Sequence, residues 1–234
     1  MLERFSCLAN TRKFLSIYQF LPVLLLWCLI FGVSAQDAFA KSNPRYASIV
    51  VDANTGMIIS QQNADKILHP ASLAKMMTLL LTFEALEQKT ISLQDKVRIS
   101  KHAAGMVPSK LGLEVGETIR VEDAIYALVT KSANDVAVAL AEHLSGTEQR
   151  FARHMTLKAR ALGMRRTNFE NASGLHNKRQ VTTAKDMAIL SRYLMTKYDH
   201  YYHYFSTREY TYQGKTYRNH NTLMRYYKGM DGLK

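Results

Sequence analysis

The chain has 234 residues and a formal net charge of +12, from 31 lysines and arginines against 19 acids. Such an excess favours an anionic partner, but no zinc-finger or base-stacking motif accompanies it, and nucleic acid is set aside. Cys7 and Cys28 both lie near the start, so the remainder has no disulfide, thiolate metal site or cysteine nucleophile.

Arg4, Arg12 and Lys13 form a basic opening, Phe20 to Val33 is nearly all apolar, and Ala38-Phe39-Ala40 precedes Lys41. This pattern reads as an export signal over residues 1–40, with Ser34-Ala35 as a second cleavage site. The apolar stretch is shorter than the ~20 residues that a membrane span prefers. Residues 41–234 are expected to form one domain in the periplasm or on the outer face of the cytoplasmic membrane. Independence from oxidative folding fits that setting.

Residues 46–61 predict a hairpin, with β-rich Tyr46 to Val51, turn chemistry at Asp52 to Gly56, and Met57-Ile58-Ile59 returning. Pro70 then suits the start of a helix from about Ala71 to Gln88, whose continuous apolar run predicts burial on all sides. From Asp95 to Glu122, Gly105, Pro108, Gly112 and Gly116 punctuate loops and short strands. Helices are expected over Val121–Val129, Asn134–Leu144, Thr147–Leu162 and Thr183–Lys197, the last opened by Thr183 with Asp186 three residues on. Residues 201–217, rich in tyrosine, predict a hairpin turning at Gln213-Gly214. Strands, then many helices, then strands again indicate an α+β fold.

Chemistry concentrates at Ser72-Leu73-Ala74-Lys75. On a helix, positions three apart share a face, so hydroxyl and amine can meet. A lysine kept from water against Leu73, Met76 and Met77 would have its pKa lowered. It could then take the serine proton and make a nucleophile. Free N–H groups in the first helical turn would favour the developing negative charge. The plainer alternative is a capping serine with a lysine that reaches back to water. Lys131-Ser132-Ala133-Asn134-Asp135 is a second candidate, where hydroxyl and amide stand side by side on a turn; its plainer alternative is helix capping by Ser132 or Asn134.

The Ser-x-x-Lys and Ser-x-Asn pair, with the Lys-Gly-Met-Asp-Gly-Leu-Lys run at 228–234, resembles the serine D-alanyl-D-alanine carboxypeptidases. These are the low-molecular-mass penicillin-binding proteins of peptidase family S11, which share a Ser-x-x-Lys, Ser-x-Asn and Lys-Thr-Gly trio with class A β-lactamases. The resemblance extends through Asp52-Ala53-Asn54-Thr55-Gly56, Ala161-Leu162-Gly163-Met164, Asn171-Ala172-Ser173-Gly174-Leu175-His176 and Thr183-Ala184-Lys185-Asp186-Met187. It implies the penicillin-binding-protein/β-lactamase-like fold, an antiparallel sheet with a large helical subdomain. It also implies removal of the terminal D-alanine from peptidoglycan stem peptides through an acyl-enzyme, with β-lactams acylating the same serine. Ser72 is then the nucleophile, Lys75 the base and Ser132 the proton relay. Asn134 would hold the substrate backbone, and Lys234 would attract the terminal carboxylate. No metal or cofactor is implied.

Lys234 occupies the position of the Lys-Thr-Gly lysine, and the threonine, glycine and later strands do not follow it. The domain is therefore expected to lack its last sheet strands and one oxyanion-hole donor, a loss that typically costs ~10²–10³ in rate. Peripheral membrane association, in the family carried by a C-terminal region, would also lie past residue 234. Two rivals are a class A β-lactamase-like hydrolase and an inactive, truncated wall-binding fragment. Against the first, Glu142, Glu148, Glu170 and Glu209 all lack the Glu-x-x-Leu-Asn context of the deacylating glutamate. Asn171-Ala172-Ser173 matches a glycosylation sequon but is read as part of the family segment, without a glycan.

Overall fold

The computed structural model describes residues 45–233; residues 1–40, read as an export signal, and Lys234 lie outside them. Strands β1 (Ser48–Val51) and β2 (Ile58–Gln62) form the N-terminal hairpin. Its turn is held by Asp52, whose carboxylate accepts from Thr55 N at 2.7 Å and Thr55 Oγ1 at 2.6 Å. A 3₁₀ turn, Ala71–Ala74, runs directly into α1 (Lys75–Glu87). Strands β3 (Lys96–Arg98) and β4 (Thr118–Arg120) pair antiparallel around a short helix, α2 (Lys101–Ala104).

Helices α3 (Val121–Thr130), α4 (Asn134–Ser145), α5 (Glu148–Ala161) and α6 (Ala184–Lys197) follow. Thr147 caps α5 by accepting from Arg150 N, and Thr183 caps α6 by accepting from Asp186 N. Each side chain satisfies an N–H that has no partner within its helix. The chain closes with α7 (Asp199–Tyr202), a 3₁₀ turn His203–Ser206, the hairpin β5 (Glu209–Tyr212) and β6 (Lys215–Arg218), and α8 (Leu223–Tyr226). Among the described residues the strands form three separate two-stranded antiparallel sheets.

Helix α1 is the axis of the core, packed by α3, α4, α5 and α6. Lys75 to Leu80, Thr82 and Phe83 are all buried, as its unbroken apolar run predicts. Burying a side chain the size of Phe83 contributes about 2–3 kcal/mol. Its ring stacks on Tyr201 at 4.7 Å and meets the edge of Phe205 at 6.2 Å.

This cluster corrects the reading of residues 201–206. The tyrosine-rich stretch predicts a strand there, but it is helical, and the hairpin starts only at Glu209. Strand propensity of aromatics is largely a preference for a surface to pack on. Here Phe83 provides that surface, and helical turns place Tyr198, Tyr201, Tyr204 and Phe205 around it. The turn at Gln213-Gly214 does join β5 to β6, with both residues at positive φ.

Candidate active site

Ser72 sits exposed on the 3₁₀ turn, and Lys75, the first residue of α1, is 0% exposed. The turn opens with Ala71 in left-handed conformation, φ +48°. It is clasped by the Ser173–Gly174 backbone. A Cβ on Gly174 would lie 1.8 Å from the Ala71 carbonyl oxygen, and Gly174 itself has φ +86°. Only glycine satisfies both the conformation and the close approach.

The Lys75 amine donates to Asn134 Oδ1 at 2.8 Å and to the Ser173 carbonyl at 2.5 Å. Burial lowers its pKa to about 8, with the nearby Asp135 carboxylate acting in the opposite direction. Leu73 is 37% exposed, and the contacts that hold the Lys75 amine come from α4 and the Ser173 loop. A neutral amine has two N–H donors and one lone pair. Both N–H groups are claimed by carbonyl oxygens, so the lone pair is left for a hydroxyl proton.

Among the described residues neither Ser72 Oγ nor Ser132 Oγ has a hydrogen-bond partner, and the Ser132 oxygen is buried as well. Ser132 also has φ +58°, an uncommon conformation for a residue with a side chain. Strain and an unsatisfied buried hydroxyl coincide at one residue, a combination found where function sets the geometry.

The capping alternative fails at both motifs. The residue before α4 is Ala133, with no side-chain cap, and Pro70 precedes the 3₁₀ turn likewise. Asn134 spends its amide elsewhere, accepting from Lys75 and donating through Nδ2 to Val107 O at 2.9 Å. Asp135 is buried and accepts from the backbone N–H of Leu111, Gly112 and Val136. It thereby ties the 107–113 loop to the start of α4.

Sequence reasoning assigned no role to the residues that hold the Ser173 carbonyl in place. Thr78 Oγ1 donates to Ala172 O at 2.8 Å, and Ala172 N donates to Glu148 Oε1 at 3.0 Å. Buried Gln180 accepts from the N–H groups of Glu170 and Asn171, both at 3.0 Å, and donates to Leu175 O at 3.1 Å. A backbone carbonyl acting as a ligand has no side-chain signature. The one available signal was the Asn171–His176 run that carried the family resemblance. Asn171 is fully engaged, since Nδ2 donates to Leu175 O while Oδ1 accepts from Gly174 N.

The two motifs thus meet in one place, where the buried Lys75 amine of the Ser-x-x-Lys segment bonds Asn134 of the Ser-x-Asn segment, the arrangement expected of a penicillin-binding-type site. The family described as D-alanyl-D-alanine carboxypeptidase, Peptidase S11, matches residues 34–234, and the chain belongs to it. D-alanyl-D-alanine carboxypeptidase DacF of Bacillus subtilis is 36% identical over 228 residues, covering 90% of this chain and 58% of that protein. DacA of Haemophilus influenzae is 33% identical over 83% of this chain and 51% of its own length. The chain thus spans between half and three-fifths of these relatives.

Among solved structures, penicillin-binding protein 6B from Escherichia coli superposes with a TM-score of 0.76 at 31% identity, over 81% of this chain and 62% of that one. Penicillin-binding protein D2 from Listeria monocytogenes, in its ampicillin-bound form, gives 0.73 at 32% identity, over 82% and 78%. The fold is that of the penicillin-binding proteins.

Proposed function

We propose that this protein is a serine-type D-Ala-D-Ala carboxypeptidase that removes the terminal D-alanine from peptidoglycan stem peptides. One observation carries the reading: a buried amine, its pKa lowered to about 8, whose neutral form has both N–H groups anchored and its lone pair unclaimed.

In the proposed reaction, Ser72 Oγ attacks the penultimate D-alanine carbonyl while Lys75 Nζ takes its proton. The carbonyl oxygen becomes an oxyanion at the backbone N–H of Ser72. Ser132 Oγ then passes a proton to the departing amine, the C–N bond breaks, and D-alanine leaves. Water, deprotonated by the regenerated amine, cleaves the Ser72 ester. Asn134 helps position Lys75 through Oδ1, and the second N–H of its Nδ2, beside the one given to Val107 O, is the donor proposed to hold the substrate backbone. Lys234 is proposed to draw in the terminal carboxylate.

The ampicillin- and cefotaxime-bound forms of the Listeria relative support β-lactams as acylating inhibitors of the same serine. The basic, apolar and small-residue sequence of residues 1–40 supports export to the periplasm or the outer face of the cytoplasmic membrane.

A class A β-lactamase-like reading has less support. Glu148, the one buried glutamate of the four considered, has both oxygens committed, to Ala172 N and to His102 Nε2 at 2.7 Å. Mass spectrometry after penicillin exposure tests the proposal. A stable penicilloyl adduct on Ser72, absent in Ser72→Ala, is the expected result. An unmodified Ser72, or an adduct on another residue, overturns it.

A further inference from the structure

A second polar feature adjoins the Ser132 turn. Strand β6 and the segment after it form a groove of about 440 Å³ with Lys131, and Lys215, Arg218 and Arg225 stand along it. Among the described residues, none of these four cations has a carboxylate within ion-pairing distance. Glu209 faces Arg218 across the β5–β6 ladder yet forms no ion pair with it.

Two of the cations converge on one buried ring. Lys131 Nζ lies 5.7 Å and Lys215 Nζ 5.6 Å from the centre of the Tyr217 ring, within reach of cation–π attraction. Like charges brought to one ring repel each other, and an anion seated between them would relieve that repulsion. The groove is also joined to the active-site turn. Lys131 immediately precedes Ser132, and His220 N donates to Thr130 O at 3.3 Å. One residue of extended peptide spans about 3.3–3.6 Å, so a peptide reacting beside Ser132 has neighbouring residues within reach of the groove.

We propose that Lys131, Lys215, Arg218 and Arg225 form a specificity subsite for a substrate carboxylate other than the one that ends the peptide. The enzyme would thereby favour acidic peptides over neutral ones of the same length. This rests on the carboxypeptidase reading, and it explains a local concentration of positive charge that the acyl-transfer chemistry leaves unused.

The test measures binding to the Ser72→Ala protein, where no turnover intervenes. Two peptides, both ending in D-alanyl-D-alanine, differ only in carrying a glutamate or a glutamine upstream. The acidic peptide is expected to bind roughly ten-fold tighter at low salt, with the advantage shrinking at several hundred millimolar salt. In Lys215→Ala/Arg225→Ala the acidic peptide should fall to the level of the neutral one, whose affinity stays unchanged. Lys215→Arg should retain the preference, and matching thermal melts confirm that the variants are folded.

Equal affinities for the two peptides, or a preference that survives the double substitution, overturn the subsite. So does binding of inorganic polyphosphate that the double substitution abolishes while the two peptides remain equal, which would assign the groove to phosphate polymers. Penicillin labelling of Ser72 in the unsubstituted chain reports separately on the carboxypeptidase reading.

Discussion

The sharpest consequence of the site geometry concerns pH. If Lys75 must be neutral to accept the Ser72 proton, acylation should follow the deprotonated fraction of an amine whose pKa is lowered to about 8. That fraction is about one-tenth at pH 7, half at pH 8 and nine-tenths at pH 9. The second-order rate of acylation should therefore rise about ten-fold from pH 7 to pH 9 and then level off. An ordinary lysine, with a pKa near 10.5, would give a rise of roughly a hundred-fold over the same interval, continuing beyond pH 10.

A fluorescent penicillin, quenched at timed intervals and read on a gel, measures the rate; a penicillin without a group titrating above pH 6 keeps the ligand constant. A flat profile, or a log-linear climb past pH 10, refutes the assignment of Lys75 as a neutral base. Stability should move in step. The folded-state pKa lies below that of the unfolded chain, so the unfolded state binds more protons between pH 8 and 10.5. Stability then rises with pH across that window, by up to about 3 kcal/mol from this group, and the burial penalty is fully felt below pH 8.

Two substitutions separate structural from chemical roles. Ser132→Gly removes a buried unsatisfied hydroxyl and relieves a left-handed backbone, so thermal melts should show unchanged or slightly higher stability, by up to about 1 kcal/mol. D-alanine release should nonetheless fall about 10²-fold or more with loss of the proton relay; retention of activity counts against that role. Gly174→Ala should cost more than about 2 kcal/mol, because the new Cβ meets the Ala71 carbonyl at 1.8 Å and φ is +86°. Penicillin labelling should drop with it, and a stable, fully labelled Gly174→Ala protein would show that the clasp is dispensable.

Much of the architecture was legible in the residues. The helix boundaries at Thr147 and Thr183 follow from local capping chemistry, and the burial of α1 follows from an apolar run with no polar face. Ser72 and Lys75 could be singled out as candidates in advance because a helical turn dictates which side chains share a face. The residues that surround them could not. Whether Asn134 caps a helix or holds an amine depends on what α4 packs against, and the answer, Lys75, lies 59 positions away. The helical form of Tyr201 and Tyr204 likewise depends on the Phe83 ring rather than on their own preferences.

Sequence alone determined the candidate groups, their local spacing and the family to which they point. Tertiary structure decided which partners those groups meet. The Ser173 carbonyl, the Gly174 clasp and the supporting bonds from Thr78, Glu148 and Gln180 are contacts between segments far apart in the chain. The Lys75 pKa is lowered to about 8 for the same reason, since desolvation is a property of the packed interior and no stretch of sequence contains it.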